Sequence, residues 1–278
     1  MTMRHSPLLA QAGPETELDF APSPWRLKQC QQTGFVFLAN PPAYSELEET
    51  YAYERTFALE TRARRAAEPL RYAVSMGLKR FRNRVLRRNK TLGLMLDAIA
   101  NSPSQQINVL DVGCGWGSLL SDTMDALPPP LRARAVPHGI EISRELAQIS
   151  QRKLEAFGGR CVHAPSLDAM GEFGPDFFDV IVMASYLEHE IEPLQVLRAA
   201  RARLKTGGQL IVKVPNYACV NRRLRGARWC GFRWPDHVNY FTPATLLGMS
   251  YMAGLRLVRM SFRDRNPLSD NMYAVFSR

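Results

Sequence analysis

The sequence predicts an α/β fold: a doubly wound, mostly parallel sheet of seven strands with helices on both faces, preceded by an N-terminal helical or lid region. Three observations carry this. From Asn108 onward, short β-branched runs alternate with helical stretches. A glycine-rich turn follows the first of these runs and opens a helix. The length of 278 residues suits one domain of this size plus a modest accessory region.

Residues 1–24, rich in proline, alanine and polar side chains, read as a loosely ordered tail. An accessory or lid region is expected over residues 25–100. It begins with a short strand ending in Gly34-Phe35-Val36-Phe37-Leu38 and closed by Asn40-Pro41-Pro42. The prolines enforce extended backbone, and Ser45 with Glu48 forms a capping box for a helix through Tyr51 to Arg62. A second helix is expected from Pro69 to about Arg88, because Leu70, Val74, Leu78, Phe81 and Val85 recur at spacings of three and four.

The main domain, residues 101–278, starts with the strand INVLDVG at Ile107. A helix then runs to before Pro128, and HGIEIS holds the end of the next strand. Arg144 to Phe157 continues as a helix stopped by Gly158-Gly159. Strands follow at Arg160–His163, Phe178–Ala184 and Gln209–Val214, with a helix at Pro193–Leu204. Thr242 caps a helix with Pro243 in its first turn, Gly254 ends it, and strands near Leu255–Phe262 and Met272–Phe276 complete the series.

Composition narrows the function classes. Hydrophobic residues make up 46% and charged residues 22%, as in soluble globular proteins. No apolar run approaches the roughly 18–20 residues of a membrane span, no signal peptide is evident, and a cytoplasmic location is the default. Five widely spaced cysteines without a C-x-x-C pair argue against disulfides and a zinc cluster. The net charge of +10 is concentrated: Arg62 to Lys90 holds 11 basic residues against Glu68 alone. Arg222, Arg223, Arg225, Arg228 and Arg233 form a second cluster. Such fields attract anions, whether substrate phosphate, anionic lipid or nucleic acid. Residues 69–88 read as part of a lid or as a peripheral contact with an anionic membrane. Nucleic acid is disfavoured, since no aromatic platform accompanies the charges.

Asp111-Val112-Gly113-Cys114-Gly115-Trp116-Gly117 lets backbone approach a ligand closely where a β-carbon would collide. A dinucleotide site is the rival reading, but its G-x-G-x-x-G/A pattern would need a glycine or alanine at Ser118, and the third glycine falls one place early at Gly117. LDVGCGWG resembles motif I of the class I methyltransferases that use S-adenosylmethionine (SAM), a family with a Rossmann-like sheet. FFDVIVMASYLEHEIEPLQVLRAARARLKTGGQLIVKVPN is similar to the family's fourth strand, following helix and fifth strand. The resemblance implies SAM as methyl donor and S-adenosylhomocysteine as product. It puts the glycine turn (Asp111, Gly113, Cys114, Gly115, Gly117) under the methionine part and Glu141, beside Ile142, on the ribose hydroxyls. Ser166 and Leu167 would lie near the adenine, and Ser185 and Leu187 would line the cofactor. Glu141 follows Asp111 by 30 positions, where about 20 would match the dinucleotide spacing. Relatives with a similar N-terminal module carry a cysteine zinc cluster there; only Cys30 is present here, so no metal is expected.

For a hydroxyl acceptor the protein must position the group and remove its proton, work suited to a neutral imidazole. His237, in a segment resembling the HxxYFT motif of sugar-modifying relatives, is the expected general base, with Tyr240 and Asn216 as orienting groups. His189, at the carboxyl end of the fourth strand, is the second candidate. Arg222, Arg225, Trp229 and Trp234 in one loop would hold an acceptor, a small molecule or glycan that is anionic or carried on an anionic handle. The other readings are an NAD- or nucleotide-sugar-dependent oxidoreductase and a catalytically silent SAM-binding module.

Overall fold

The computed structural model describes residues 3–9, 11–42 and 89–278. The expected capping box at Ser45, the helix at 51–62 and the basic helix at 69–88 lie outside the described residues.

The chain opens with β1 (Glu15–Leu18), β2 (Leu27–Cys30) and β3 (Val36–Leu38), and after the undescribed segment comes α1 (Lys90–Ala100). There follow β4 (Ile107–Val112), α2 (Ser118–Ala126), the single turn α3 (Pro129–Arg132), β5 (Ala135–Glu141), α4 (Arg144–Leu154), β6 (Arg160–His163), α5 (Ser166–Gly171), β7 (Phe178–Ala184), α6 (Pro193–Arg203) and β8 (Leu204–Pro215). The last elements are α7 (Val220–Arg225), β9 (Asn239–Tyr240), α8 (Pro243–Met252), β10 (Arg256–Arg259) and β11 (Asn271–Ser277).

The seven-stranded sheet has the order β10-β11-β8-β7-β4-β5-β6. Only β11 runs against its neighbours, pairing antiparallel with both β8 and β10. A sheet covered on both faces needs strands apolar on both sides, and the alternation of side chains sorts them cleanly. Val109, Val180, Val182 and Ile211 enter the core beneath α1 and α2. Leu110, Ile181, Met183 and Val212 enter the opposite core with α6 and α8 residues. Helix ends follow their local chemistry. Ser143 caps α4 by accepting from the Leu146 amide, and Thr242 with Thr245 forms a reciprocal capping box ahead of Pro243.

Several segments depart from the sequence reading. Part of the expected loose tail is built into the fold: β1 pairs with β2, and Leu8 packs into the main core. A second sheet, β1-β2-β3-β9, joins N-terminal strands to a two-residue strand more than 200 positions later, so accessory and main regions share structure. β8 begins at Leu204, before the Gly207-Gly208 pair, which occupies a register irregularity against β7. Among the described residues, no helix is long and apolar enough to cross a membrane.

Candidate active site

Strand order reverses around β4: β5 and β6 are added on one side and β7 and β8 on the other, all parallel. Crevices form at the carboxyl ends of strands at such a switch point. A cavity of about 410 Å³ lies there, lined by the turn after β4, the ends of β5 and β7, the start of α5, and Lys213 of β8.

Asp111, Gly113, Cys114, Gly115, Glu141, Ile142, Ser166, Ser185 and His189 all line it, so the structure brings together most of the residues singled out for the cofactor. Gly113 has φ +71, and an added β-carbon would sit 2.7 Å from the Tyr186 ring. Gly117 has φ +68, and its β-carbon would meet Ser150 Oγ of α4 at 2.6 Å. Gly117 is not among the lining residues; it lets α2 start close against α4.

Glu141 ties the two loops together. Its Oε2 accepts from the Gly115 amide at 2.8 Å and its Oε1 from the Ser143 amide at 2.9 Å. Below it, burial and the nearby Glu141 charge push the Asp111 carboxyl up to about 8. Behind the turn, Cys114 Sγ contacts Ser150 Oγ at 3.2 Å and Cys161 Sγ at 3.7 Å.

At the end of β7, Ser185 adopts φ +61, unusual for a residue with a side chain, and its Oγ accepts from Lys213 Nζ at 2.9 Å. Tyr186 Oη and Ser166 Oγ both donate to Glu190 Oε2, building a polar corner in the wall. Trp116, Tyr186, Glu190, Lys213 and Asp236 line the cavity without having been read from the sequence. The alternation of β8 would have flagged Lys213, a cation among apolar residues; nothing local distinguishes the others.

Other expected residues lie elsewhere. Leu187 is fully buried in the main core, and Leu167 packs against the same cluster. Tyr240 and Trp229 sit with Tyr217 and Phe232 in the aromatic core of the small sheet, and Trp234 stacks on Phe232 with centroids 5.3 Å apart. Trp229 Nε1 donates to Asp270 at 2.8 Å. Asn216 accepts from the Ala218 amide within its own turn, and Arg222 folds over the Tyr217 ring at 4.1 Å. Arg225 is half-buried at the end of α7. The aromatics pack on one another rather than on the cavity, because apolar rings bury best against the β2–β3–β9 face left open beneath them.

The two histidines are neighbours, edge to face with ring centroids 4.7 Å apart. His189 lines the cavity and His237 does not. The Nδ1 atoms lie 2.9 Å and 2.8 Å from the carbonyl oxygens of Asp236 and Gly231 respectively. A carbonyl only accepts, so each Nδ1 carries the hydrogen. Burial, reinforced by Arg233, lowers His189 to about 4 and keeps it neutral. Burial likewise raises the adjacent Glu188 to about 7.

Comparison with known proteins agrees with this geometry. The family described as methyltransferase domain matches residues 61–259. The ubiquinone biosynthesis O-methyltransferase of Ralstonia nicotianae is 29% identical over 189 residues, 63% of this chain and 74% of the relative. That of Cereibacter sphaeroides (strain ATCC 17025) is 33% identical over 181 residues, covering 62% and 70%. The CcbJ methyltransferase structure from Streptomyces caelestis shares the fold, with a TM-score of 0.50 and 20% identity over 66% of this chain and 87% of that one. The chain belongs to the methyltransferase-domain family. It is a class I SAM-dependent methyltransferase, and SAM is its cofactor.

Proposed function

We propose that the protein transfers the SAM methyl group to a hydroxyl oxygen of a small-molecule acceptor. The observation that carries this is the make-up of one cavity: Asp111, the glycine turn and Glu141 on one wall, His189 and Lys213 on another. The O-methyltransferase names of the relatives support oxygen as the atom methylated.

In this reading Glu141 accepts from the ribose hydroxyls while its amide bonds hold the turn in shape. Asp111 faces the ammonium of SAM, a cation that brings its raised carboxyl back to the charged form. Ser166, beside Glu190, borders the adenine. The acceptor oxygen attacks the methyl carbon in line, the S–CH₃ bonding pair returns to sulfur, and S-adenosylhomocysteine forms. The acceptor O–H becomes strongly acidic as the C–O bond forms, so even an imidazole held neutral by burial takes its proton. The cavity wall favours His189 for that role over His237, which backs it. An acidic group on the acceptor would face Lys213 rather than the loop arginines, since Arg222 is engaged with Tyr217.

The test combines SAM carrying an isotopic methyl label, a panel of hydroxylated acids and phenols, and mass spectrometry of the products. Label on oxygen is expected. Glu141→Ala is expected to weaken SAM binding at least tenfold by calorimetry. His189→Ala is expected to keep SAM affinity and lose about 100-fold or more in kcat. Label on nitrogen or carbon would overturn the O-methylation reading, and undiminished turnover in His189→Ala would remove its proton-accepting role.

A further inference from the structure

Glu188 and His189 follow β7, and His237 comes from the segment before β9. The structure holds the two segments together tightly. The Val238 and Asn239 amides donate to the Glu188 carbonyl at 2.7 and 3.1 Å. Asn239 Nδ2 donates to the carbonyls of Leu187 and Glu190 at 2.8 and 2.6 Å. As a result one carboxylate oxygen and one ring nitrogen from each histidine lie within 4.8 Å of one another.

The chemistry of these three groups is one-sided. Each imidazole gives its Nδ1 hydrogen to a backbone carbonyl, which leaves Nε2 with its lone pair in the neutral ring. Metal-binding histidines are oriented by the same device, a ring N–H fixed by a carbonyl behind it. Glu188 is 1% exposed, and its Oε2 has no hydrogen-bond partner among the described residues. Lys213 and Arg233 attract the Glu188 charge, while Lys213 donates to Ser185 Oγ and Arg233 faces Asp236 at 3.6 Å. A buried carboxylate oxygen without a donor is costly unless something positive meets it.

From this we infer that Glu188, His189 and His237 form a binding site for one divalent transition-metal cation of the zinc class. Two imidazoles and a carboxylate make up a common zinc ligand set, and imidazole favours zinc or iron over magnesium. Ligand atoms stand about 3.4 Å apart around tetrahedral zinc with bonds of about 2.1 Å, so small side-chain rotations close the cluster. His189 lines the cavity, so a fourth position on its side would face the acceptor, as in catalytic rather than structural sites. An acceptor hydroxyl bound there loses its proton to water, and its oxygen then takes the methyl group from sulfur.

The inference rests on the O-methylation reading but replaces proton transfer to His189, whose Nε2 becomes a ligand; binding is measured without SAM or acceptor so that the two can fail separately. Untagged full-length protein is stripped with chelator, dialysed, and titrated with Zn²⁺, and in parallel with Co²⁺ followed by its visible absorption. One cation per chain and a tetrahedral-type Co²⁺ spectrum are expected. Glu188→Gln keeps the shape of the side chain and is expected to weaken binding more than tenfold, as is His237→Asn, with circular dichroism and thermal melting confirming the fold. Absence of stoichiometric binding, or binding undiminished in both folded variants, overturns the site. Full turnover in chelator with no cation bound overturns it too, while leaving proton transfer to His189 standing.

Discussion

Asp111 is buried beside a second carboxylate, and in the proposed placement of SAM its charge state reports on the cofactor directly. With its carboxyl raised to about 8, it is mostly protonated at pH 7 before SAM arrives. An ammonium beside it favours the ionised form, so SAM binding at pH 7 is expected to release close to one proton. Calorimetry in buffers of different ionisation enthalpy measures this. The affinity is expected to rise with pH up to about 8 and then level, and Asp111→Asn is expected to abolish the proton release. Zero release in the native protein would remove the ammonium from Asp111. His138 on β5 shows the reverse sign. Its ring is caged edge-on by Phe173, Phe177 and Phe178, and neither nitrogen has a hydrogen-bond partner among the described residues. Burial, with Arg160 nearby, lowers it to about 4 from 6.5. The unfolded chain therefore binds the proton first as pH falls below 6.5, and stability is lost between there and about 4. At pH 4.5 this amounts to about 2–3 kcal/mol. His138→Leu is expected to reduce the stability difference between pH 7.5 and 4.5 by that amount in chemical denaturation; an equal difference in both proteins would refute the caged neutral ring.

At the scale of elements, legibility followed the range of the physics involved. β6 and β7 matched residue for residue, and α8 began at its cap, because β-branched runs, Thr242-Pro243 and Gly254 act within a few residues. The glycine turn was legible for the same reason, and Glu141 was found because it ends a recognisable strand. β1 and β9 were not. Each has only a few residues, and each is a strand only because β2 or β3 lies beside it. α1 was missed because its apolar face, Leu94, Met95, Ala98 and Ile99, acquires meaning only against β7 and β8. The aromatic loop misled for a related reason. Rings among arginines suit a ligand or a local core equally well, and the choice depends on the strands beneath them. His189 and His237, 48 positions apart, could each be named, but their edge-to-face contact could not. It rests on the Glu188 carbonyl and the Asn239 side chain, which bind the segment before β9, and β9 in turn makes a long-range pairing with β3.

That pairing makes the N-terminus part of the active-site scaffold of the whole molecule. Arg4 Nη2 donates to Asn239 Oδ1 at 2.6 Å across 235 positions, while the amide of the same asparagine holds the carbonyls of Leu187 and Glu190. Arg4 also lies over the Phe37 ring at 5.6 Å, and its guanidinium is attracted to Glu190 and Glu192. Burial lowers its pKa to about 10, still far above neutrality, so the residue stays charged inside the protein. A buried charge is held only where its partners are fixed, and removing one partner strands the other. Arg4 and Asn239 are therefore expected to be coupled. In a double-mutant cycle of Arg4→Met and Asn239→Ala, the coupling energy should be about 1–2 kcal/mol by denaturant unfolding. Arg4→Met alone should lower turnover more than SAM affinity, since the turn it braces carries His189 whereas Glu141 and the glycine turn lie on other strands. Additive stabilities with unchanged turnover would mean that the first strands merely cover the domain. Coupling with a selective loss of turnover would mean that the acceptor side of the cavity is set from the far end of the chain.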